Sequence, residues 1–336
     1  MPLPAEQTEL ALAAQHDAAG RHEEAINVLA RGSHAGHPGC KMQLGKRLLA
    51  GDRAPALPAE GARFVHEAAL EGEPEAAARL AALTGLGHFF RQNWHEALRW
   101  LVVAAQRGWV PAREQLLVLA NGTRDIDLEV WSAVPALRAL SADPRICAVD
   151  ALVSPAVCDW LIARARRRLT RALVYDPVAR RDVAGATRTN EVANFGVADI
   201  ELLDVLMQAK ISGICSVPMP HMEAFAVLHY SVGEQAADHY DFVNPDLPDY
   251  AQEIARNGQR VQTFLVYLNE DYEGGATEFP RLGLSHKGRR GHGLFFINAR
   301  SDMQPDLRTL HAGRPPTRGE KWVVSQFIRS RAVRGA

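Results

Sequence analysis

Hydrophobic positions change their period along the chain. From about residue 5 to 120 they recur at helical spacing, in blocks such as "EALRWLVVAAQRG" that end on glycine. The blocks themselves repeat: Gly36, Gly72 and Gly108 stand 36 residues apart, as do Glu24, Glu60 and Glu96, and Leu44, Leu80 and Leu116. A period of that length predicts stacked helical hairpins, each unable to bury its apolar face without a neighbour. Ala68-Ala69 before Gly72 and Ala104-Ala105 before Gly108 supply small residues for close helix approach and a glycine to end the helix. The segment from 121 to 150 mixes Trp131 and Leu137 with Pro135 and Pro144, and a packed helix is expected there in place of a free linker. One further helix should open at Ser154 as N-cap and Pro155 as first residue, running through "CDWLIARARRRL". From about residue 221 the pattern switches to alternation broken by glycine clusters, the mark of short strands and turns.

Composition narrows the class. Apolar residues make up 47% of the 336 and charged residues 23%, which supports sizeable globular cores. A net charge of -1 leaves no basic excess for phosphate, so neither nucleic acid nor an acidic membrane is an expected partner, and the arginine run after Ser154 reads as a solvated helix face. Cys40, Cys147, Cys158 and Cys215 lie far apart with no C-x-x-C pair, which fits reduced thiols better than a disulfide scaffold or a zinc cluster. The start "MPLPAEQTELALAAQHD" lacks a charged segment followed by an apolar stretch, and no later run is long enough to span a bilayer; a cytoplasmic location is expected. The alanine-, arginine- and leucine-rich composition points to a GC-rich bacterial genome.

Candidate chemistry sits in the alternating part. With "AFAVLHY", "VQTFLVYL", "GLFFIN" and "KWVVSQFI" as strands, successive side chains face opposite ways. Thr263 and Tyr267 then share a face with Leu265, and Lys321 shares one with Val323, Ser325 and Phe327. If that face is interior, Lys321 needs an anion, because an unpaired buried ammonium costs several kcal/mol. Either a protein carboxylate or a substrate carboxylate meets that need. In "ADHYDFVNP", His239 and Asp241 point the same way in extended chain while Tyr240 turns aside. Two histidines and a carboxylate on one side of a ferrous ion leave its other positions open for reaction. His311, in "LRTLHAGRPPTRGEKW", is the candidate third ligand. His229 alternates with Tyr230 and should face away, and Asn298 should satisfy local backbone groups near the site.

Two resemblances organise these readings. Residues 5 to 120 resemble Sel1-like repeats, relatives of tetratricopeptide repeats, which implies either a structural spacer or a protein-binding groove. Residues 145 to 330 resemble the prolyl 4-hydroxylase branch of the iron(II)- and 2-oxoglutarate-dependent dioxygenases, through "VLHYSVGEQAADHYD", "RVQTFLVYLN", "EGGATEFP", "GLFFIN", "LHAG" and "TRGEKW" in order. The fold class implied is multidomain: helical hairpin repeats over 1–125, a connecting segment over 126–144, and a double-stranded β-helix, a jelly-roll with flanking helices, over 145–336. The resemblance implies Fe(II) on His239, Asp241 and His311, with 2-oxoglutarate and O2 as cosubstrates and ascorbate as reductant. It implies that Lys321 takes the far carboxylate of 2-oxoglutarate, helped by Tyr230, Thr263 and Tyr267. Arg188, in a loop "VYDPVARRDVAGATRTNEVANF" expected to close over the site, becomes a substrate-contacting candidate. A second loop, "FVNPDLPDYAQEIARNGQR", follows the metal motif. The family's K-W-x-x-x-x-W pattern is broken by Phe327, which would reshape the substrate pocket. The implied activity is hydroxylation of prolyl residues in a protein or peptide recruited by the repeats. The alternatives are a hydroxylase of a free amino acid or small metabolite, and an inactive interaction protein.

Overall fold

The structure is a computed structural model and describes residues 5–122, 126–176, 181–300 and 302–333. It comprises two compact units, one of residues 1–131 with 196–206 and one of residues 132–195 with 207–334.

The first unit is the helical array: α1 (Ala5–Ala18), α2 (His22–His34), α3 (Pro38–Ala50), α4 (Pro58–Leu70), α5 (Pro74–Leu86), α6 (Trp94–Gln106) and α7 (Val110–Ala120). Prolines start α3, α4 and α5, where the missing N–H costs nothing. Gly36, Gly72 and Gly108 follow α2, α4 and α6 at φ of 85°, 108° and 94°, the left-handed conformation that ends a helix cheaply only at glycine. Hairpins pack closely where side chains vanish. A Cβ on Gly61 of α4 would lie 2.7 Å from the Gly45 carbonyl of α3, and one on Gly45 would lie 2.9 Å from the Gly61 carbonyl. Every residue of α5 from Ala76 to Leu86 is buried, Arg79 included. Arg79 donates to the Ile200 carbonyl and lies 3.5 Å from Glu201, which also accepts from Gln115 at 2.8 Å. Nothing in the helical period announces that 196–206 belongs with the array.

The segment from 121 to 150 departs from expectation. A five-residue helix, α8 (Leu128–Ser132), is followed by an antiparallel pair, β1 (Leu137–Ser141) and β2 (Ile146–Val149). The four residues of β2 are all buried and so show no alternation, which hid the strand. The described elements continue with α9 (Pro155–Arg166), capped by the Ser154 hydroxyl as expected, β3 (Thr170–Arg171), β4 (Val174–Asp176), β5 (Arg181–Val183), β6 (Glu191–Phe195) and α10 (Leu202–Cys215). Strands therefore begin well before residue 221. Part of the first expected lid loop, residues 177–180, lies outside the described residues.

The remaining elements are β7 (Phe225–Tyr230), β8 (Ala236–His239), α11 (Pro248–Asn257), β9 (Arg260–Tyr267), β10 (Glu273–Gly274), β11 (Thr277–Phe279), β12 (Leu284–His286), β13 (Gly293–Ile297), β14 (His311–Gly313), β15 (Pro316–Arg318) and β16 (Lys321–Arg329). An eight-stranded antiparallel sheet runs β1-β2-β13-β9-β16-β7-β6-β3, and a four-stranded one runs β12-β11-β14-β8. Ile146, Leu265, Tyr267, Leu294, Phe296 and Val323 of the large sheet pack with Phe279 of the small one, forming the jelly-roll core. Phe279 and Phe296 meet edge to face at 5.1 Å. Each such fully buried side chain stabilises the fold by ~1.5–3 kcal/mol over an exposed one. On β16, Val323 joins this core while Gln326 turns to the other face and bonds Gln208 of α10 at 2.8 Å, so the expected alternation holds. No described helix is long and apolar enough to cross a membrane.

Candidate active site

The edge of the small sheet assembles three potential ligands. β8 pairs with β14 so that His239 and His311 stand directly opposite, and Asp241 follows two residues beyond His239. The Asp241 oxygens lie 3.5 Å from His239 Nε2 and 3.3 Å from His311 Nε2, and one ligand atom from each of the three residues falls within 4.8 Å of the others. Main-chain carbonyls fix both rings: Ala237 O faces His239 Nδ1 at 2.7 Å, and Thr309 O faces His311 Nδ1 at 3.0 Å. A carbonyl only accepts, so Nδ1 carries a proton in each ring, and Nε2 is the nitrogen that faces Asp241 and that, once it gives up its own proton, offers a lone pair to a metal. Phe296 and Phe279 pack on His311 at 4.8 and 5.6 Å.

Asp241 is 7% exposed and doubly constrained. Burial raises its carboxyl, yet the charge of His311 and hydrogen bonds from both histidines outweigh this and hold it well below the usual carboxylate range. Burial likewise opposes charging of His311, and Asp241 more than offsets it. Thr263 on β9 donates its hydroxyl to Asp241 Oδ2 at 2.8 Å and accepts from Asn298 Nδ2 at 2.8 Å. An O–H has one proton to give, so Thr263 as placed here orients the carboxylate and has no proton left for a cosubstrate. Asn298, fully buried, holds Thr263 through its side chain. The alternating pattern put Thr263 indoors but contained no signal for this relay, because β9, the end of β13 and the turn after β8 meet only in three dimensions.

Lys321 lies at the start of β16 opposite Tyr230 of β7 and is 2% exposed. Its Nζ sits 5.0 Å from the Tyr230 ring centre, and no carboxylate pairs with it among the described residues. Burial pulls the ammonium down to about 7, and burial pushes the Tyr230 phenol up to about 12. Of the two partners left open by sequence, a protein carboxylate is therefore absent among the described residues. Gly275, at φ 67°, lets the Tyr272 ring pack beside the lysine stem: a Cβ there would lie 2.7 Å from Tyr272 Cε2. Tyr267 is buried in the core and donates to Thr277 at 2.9 Å.

A cavity of about 1250 Å³ opens over His239 and Asp241, and its walls include Arg188, Tyr240, Tyr250 and Arg260. Glu223 grips Arg260 through two bonds of 2.7 and 2.8 Å. Phe327 is not among the wall residues; it stacks against Arg260 at 4.0 Å from behind. Tyr175 and Tyr250 meet across the cavity at 5.1 Å. Arg260, Tyr175 and Tyr250 lie within the two segments expected to be loops but carry no signal of their own there, because β4, α11 and the start of β9 line one cavity only in three dimensions. His229 faces away as expected, with Glu191 and Glu320 each 3.0 Å from one ring nitrogen.

Comparison with known proteins bears on the family. Residues 225–329 match the 2OG-Fe(II) oxygenase superfamily. Prolyl 4-hydroxylase 1 of Arabidopsis thaliana is 30% identical over 210 residues, covering 58% of this chain and 72% of that protein. The alpha-1 subunit of prolyl 4-hydroxylase from Rattus norvegicus is 31% identical over 189 residues, covering 56% of this chain and 35% of the subunit, so the chain spans about a third of that relative. A Sel1 repeat protein from Oxalobacter formigenes is similar over 38% of this chain and 56% of its own, at 20% identity and a TM-score of 0.33. The chain thus belongs to the 2OG-Fe(II) oxygenases, as a prolyl 4-hydroxylase-like member with an array of helices before its oxygenase domain.

Proposed function

We propose that the protein hydroxylates prolyl residues of a protein or peptide, using Fe(II), 2-oxoglutarate and O2, with ascorbate as reductant. The observation that carries this reading is Lys321, a buried ammonium with no protein anion among the described residues, together with two histidines and an aspartate whose ligand atoms converge. Burying a cation this way is unfavourable unless an anion arrives, and a dicarboxylate reaching from the metal to Lys321 supplies one.

The donor set fits a ferrous ion: two imidazole nitrogens and one carboxylate, with the outer hydrogen bonds that keep such ligands in register. Bound together, iron, 2-oxoglutarate and dioxygen supply the oxidising power, and the cosubstrate leaves as succinate and carbon dioxide. The chain's own groups do the positioning. His239 and His311 present Nε2, Thr263 keeps Asp241 oriented, and Lys321 and Tyr230 hold the far carboxylate. Arg188, on the cavity wall, fixes the substrate main chain, and Phe327 acts on the substrate through the Arg260 it supports. Tyr267, buried in the core and bonded to Thr277, would support the cosubstrate pocket from within the jelly-roll.

The size of the cavity favours a peptide over a free amino acid, since small-molecule pockets run to roughly 300–1,000 Å³. The helical array recruits or presents the target. Succinate formation from 2-oxoglutarate with ferrous iron and ascorbate, with and without proline-containing peptides, tests the reading. Peptide-stimulated succinate with hydroxyproline in the peptide supports it; stimulation only by small metabolites overturns the peptide assignment.

A further inference from the structure

We propose a second metal site between α1 and the start of α3 in the helical array, formed by Glu9, His37 and Cys40, that takes a borderline divalent transition ion of the zinc class. One ligand atom from each lies within 4.8 Å of the others. Sequence spacing concealed it, because Glu9 belongs to α1 while His37 and Cys40 flank the start of α3.

Glu9 Oε2 lies 2.5 Å from His37 Nδ1 and 3.7 Å from Cys40 Sγ. Zinc held by oxygen, nitrogen and sulfur at its usual bond lengths keeps such atoms about 3.3 to 3.6 Å apart. The sulfur is thus already in place, and a modest opening of the Glu9–His37 pair admits the ion. Glu9 and His37 are a quarter exposed, which provides both the freedom and the route. Glu6, whose carboxylate accepts from Gly39 N at 2.6 Å, or a water completes four ligands.

Three observations favour an ion over ordinary packing. First, the arrangement concentrates negative charge: Glu6 and Glu9 both face a fully buried thiol, and no lysine or arginine pairs with either among the described residues. Second, the internal repeat shows what packing alone uses. The residues 36 and 72 places after Cys40 are Ala76 and Ala112, and those after Gly32 are Ala68 and Ala104. The residues 36 and 72 places after His37 are Glu73 and Trp109, so histidine and cysteine occupy these two places in this repeat alone, and Gly32 is bare where a Cβ would collide with Glu9 Oε2 and Cys40 Sγ. Third, α1 needs fastening, since Ala13 is its one fully buried residue and polar contacts, Glu6 to Gly39 N and Asp17 to Arg47, tie it to α3. A terminal repeat has a neighbour on one side only, and an ion bridging α1 to α3 compensates for this.

The test is titration of the full chain with Co(II) alone, read by the near-ultraviolet thiolate-to-metal absorption. The His239, Asp241 and His311 site holds no sulfur and contributes nothing to that band. The proposal expects a band saturating at one Co(II) per chain, lost in Cys40→Ala and weakened in Glu9→Gln. Cys40→Ala keeps the fold, because alanine already fills that position in the other hairpins. As a second reading, Zn(II) should raise the melting temperature of a His239→Ala chain and leave that of the His239→Ala/Cys40→Ala chain unchanged. Absence of the band at saturating Co(II), its persistence in Cys40→Ala, or equal Zn(II) stabilisation of both chains overturns the site.

Discussion

The helical array and the jelly-roll store their instructions at different ranges. In the array, each hairpin closes through near neighbours, as Gly45 and Gly61 do across one loop, and the same positions recur every 36 residues. In the jelly-roll, His239 and His311 are far apart in the chain and meet because β8 pairs with β14. Damage to the array should therefore be graded, whereas damage to the site should be nearly all-or-none.

The largest effect is expected at the ligands. His239→Ala or Asp241→Ala should abolish iron-dependent succinate formation while leaving thermal unfolding cooperative, since neither residue belongs to the core around Phe279 and Phe296. Undiminished turnover in either variant would remove them from the metal site.

Next comes the other end of the pocket. Lys321→Ala should weaken 2-oxoglutarate binding by about 10- to 100-fold, the value of a hydrogen bond to a charged group, and leave Fe(II) affinity nearly intact. The same residue sets a pH dependence. Its ammonium is depressed to about 7, so the folded chain without cosubstrate binds fewer protons than the unfolded chain between about pH 7 and the ordinary lysine value. Stability of the apo chain should rise with pH across that window. Because the dicarboxylate needs the charged lysine, its affinity should fall as pH climbs above about 7. Calorimetric titration of 2-oxoglutarate from pH 6 to 9 checks this, and an affinity rising with pH would refute it.

A smaller effect belongs to the relay. Thr263→Val removes the hydroxyl that orients Asp241 and should lower metal affinity about 10-fold, as loss of outer hydrogen bonds to ligands does, with Thr263→Ser restoring it. The smallest effect on the site is expected from the array: Gly61→Ala forces a Cβ against the Gly45 carbonyl and should cost ~1–3 kcal/mol of stability in denaturant unfolding. If it abolished iron binding instead, the comparison between graded and all-or-none regions would fail.

The same contrast governs what the sequence made legible. The hairpins were readable because their period, prolines and terminal glycines are local signals, and the convergence of His239, Asp241 and His311 could be expected because H-x-D and the later histidine keep a recognisable order. The pairing of Asn298 with Thr263 was not, since it depends on which strands lie side by side. Nor was β2, whose wholly buried residues erase the alternation that marks a half-buried strand. The membership of 196–206 in the first unit rests on Arg79 and Gln115 reaching Glu201, contacts that no periodicity encodes.

The central claim is a pocket with two separable ends, a metal end at His239, Asp241 and His311 and a carboxylate end at Lys321. Its most direct test is an anaerobic titration of Fe(II), then 2-oxoglutarate, into the native, His239→Ala and Lys321→Ala chains. The account predicts that His239→Ala loses iron and that Lys321→Ala keeps iron but loses 2-oxoglutarate. Equal loss of both ligands in Lys321→Ala, or undisturbed 2-oxoglutarate binding in that chain, would contradict it.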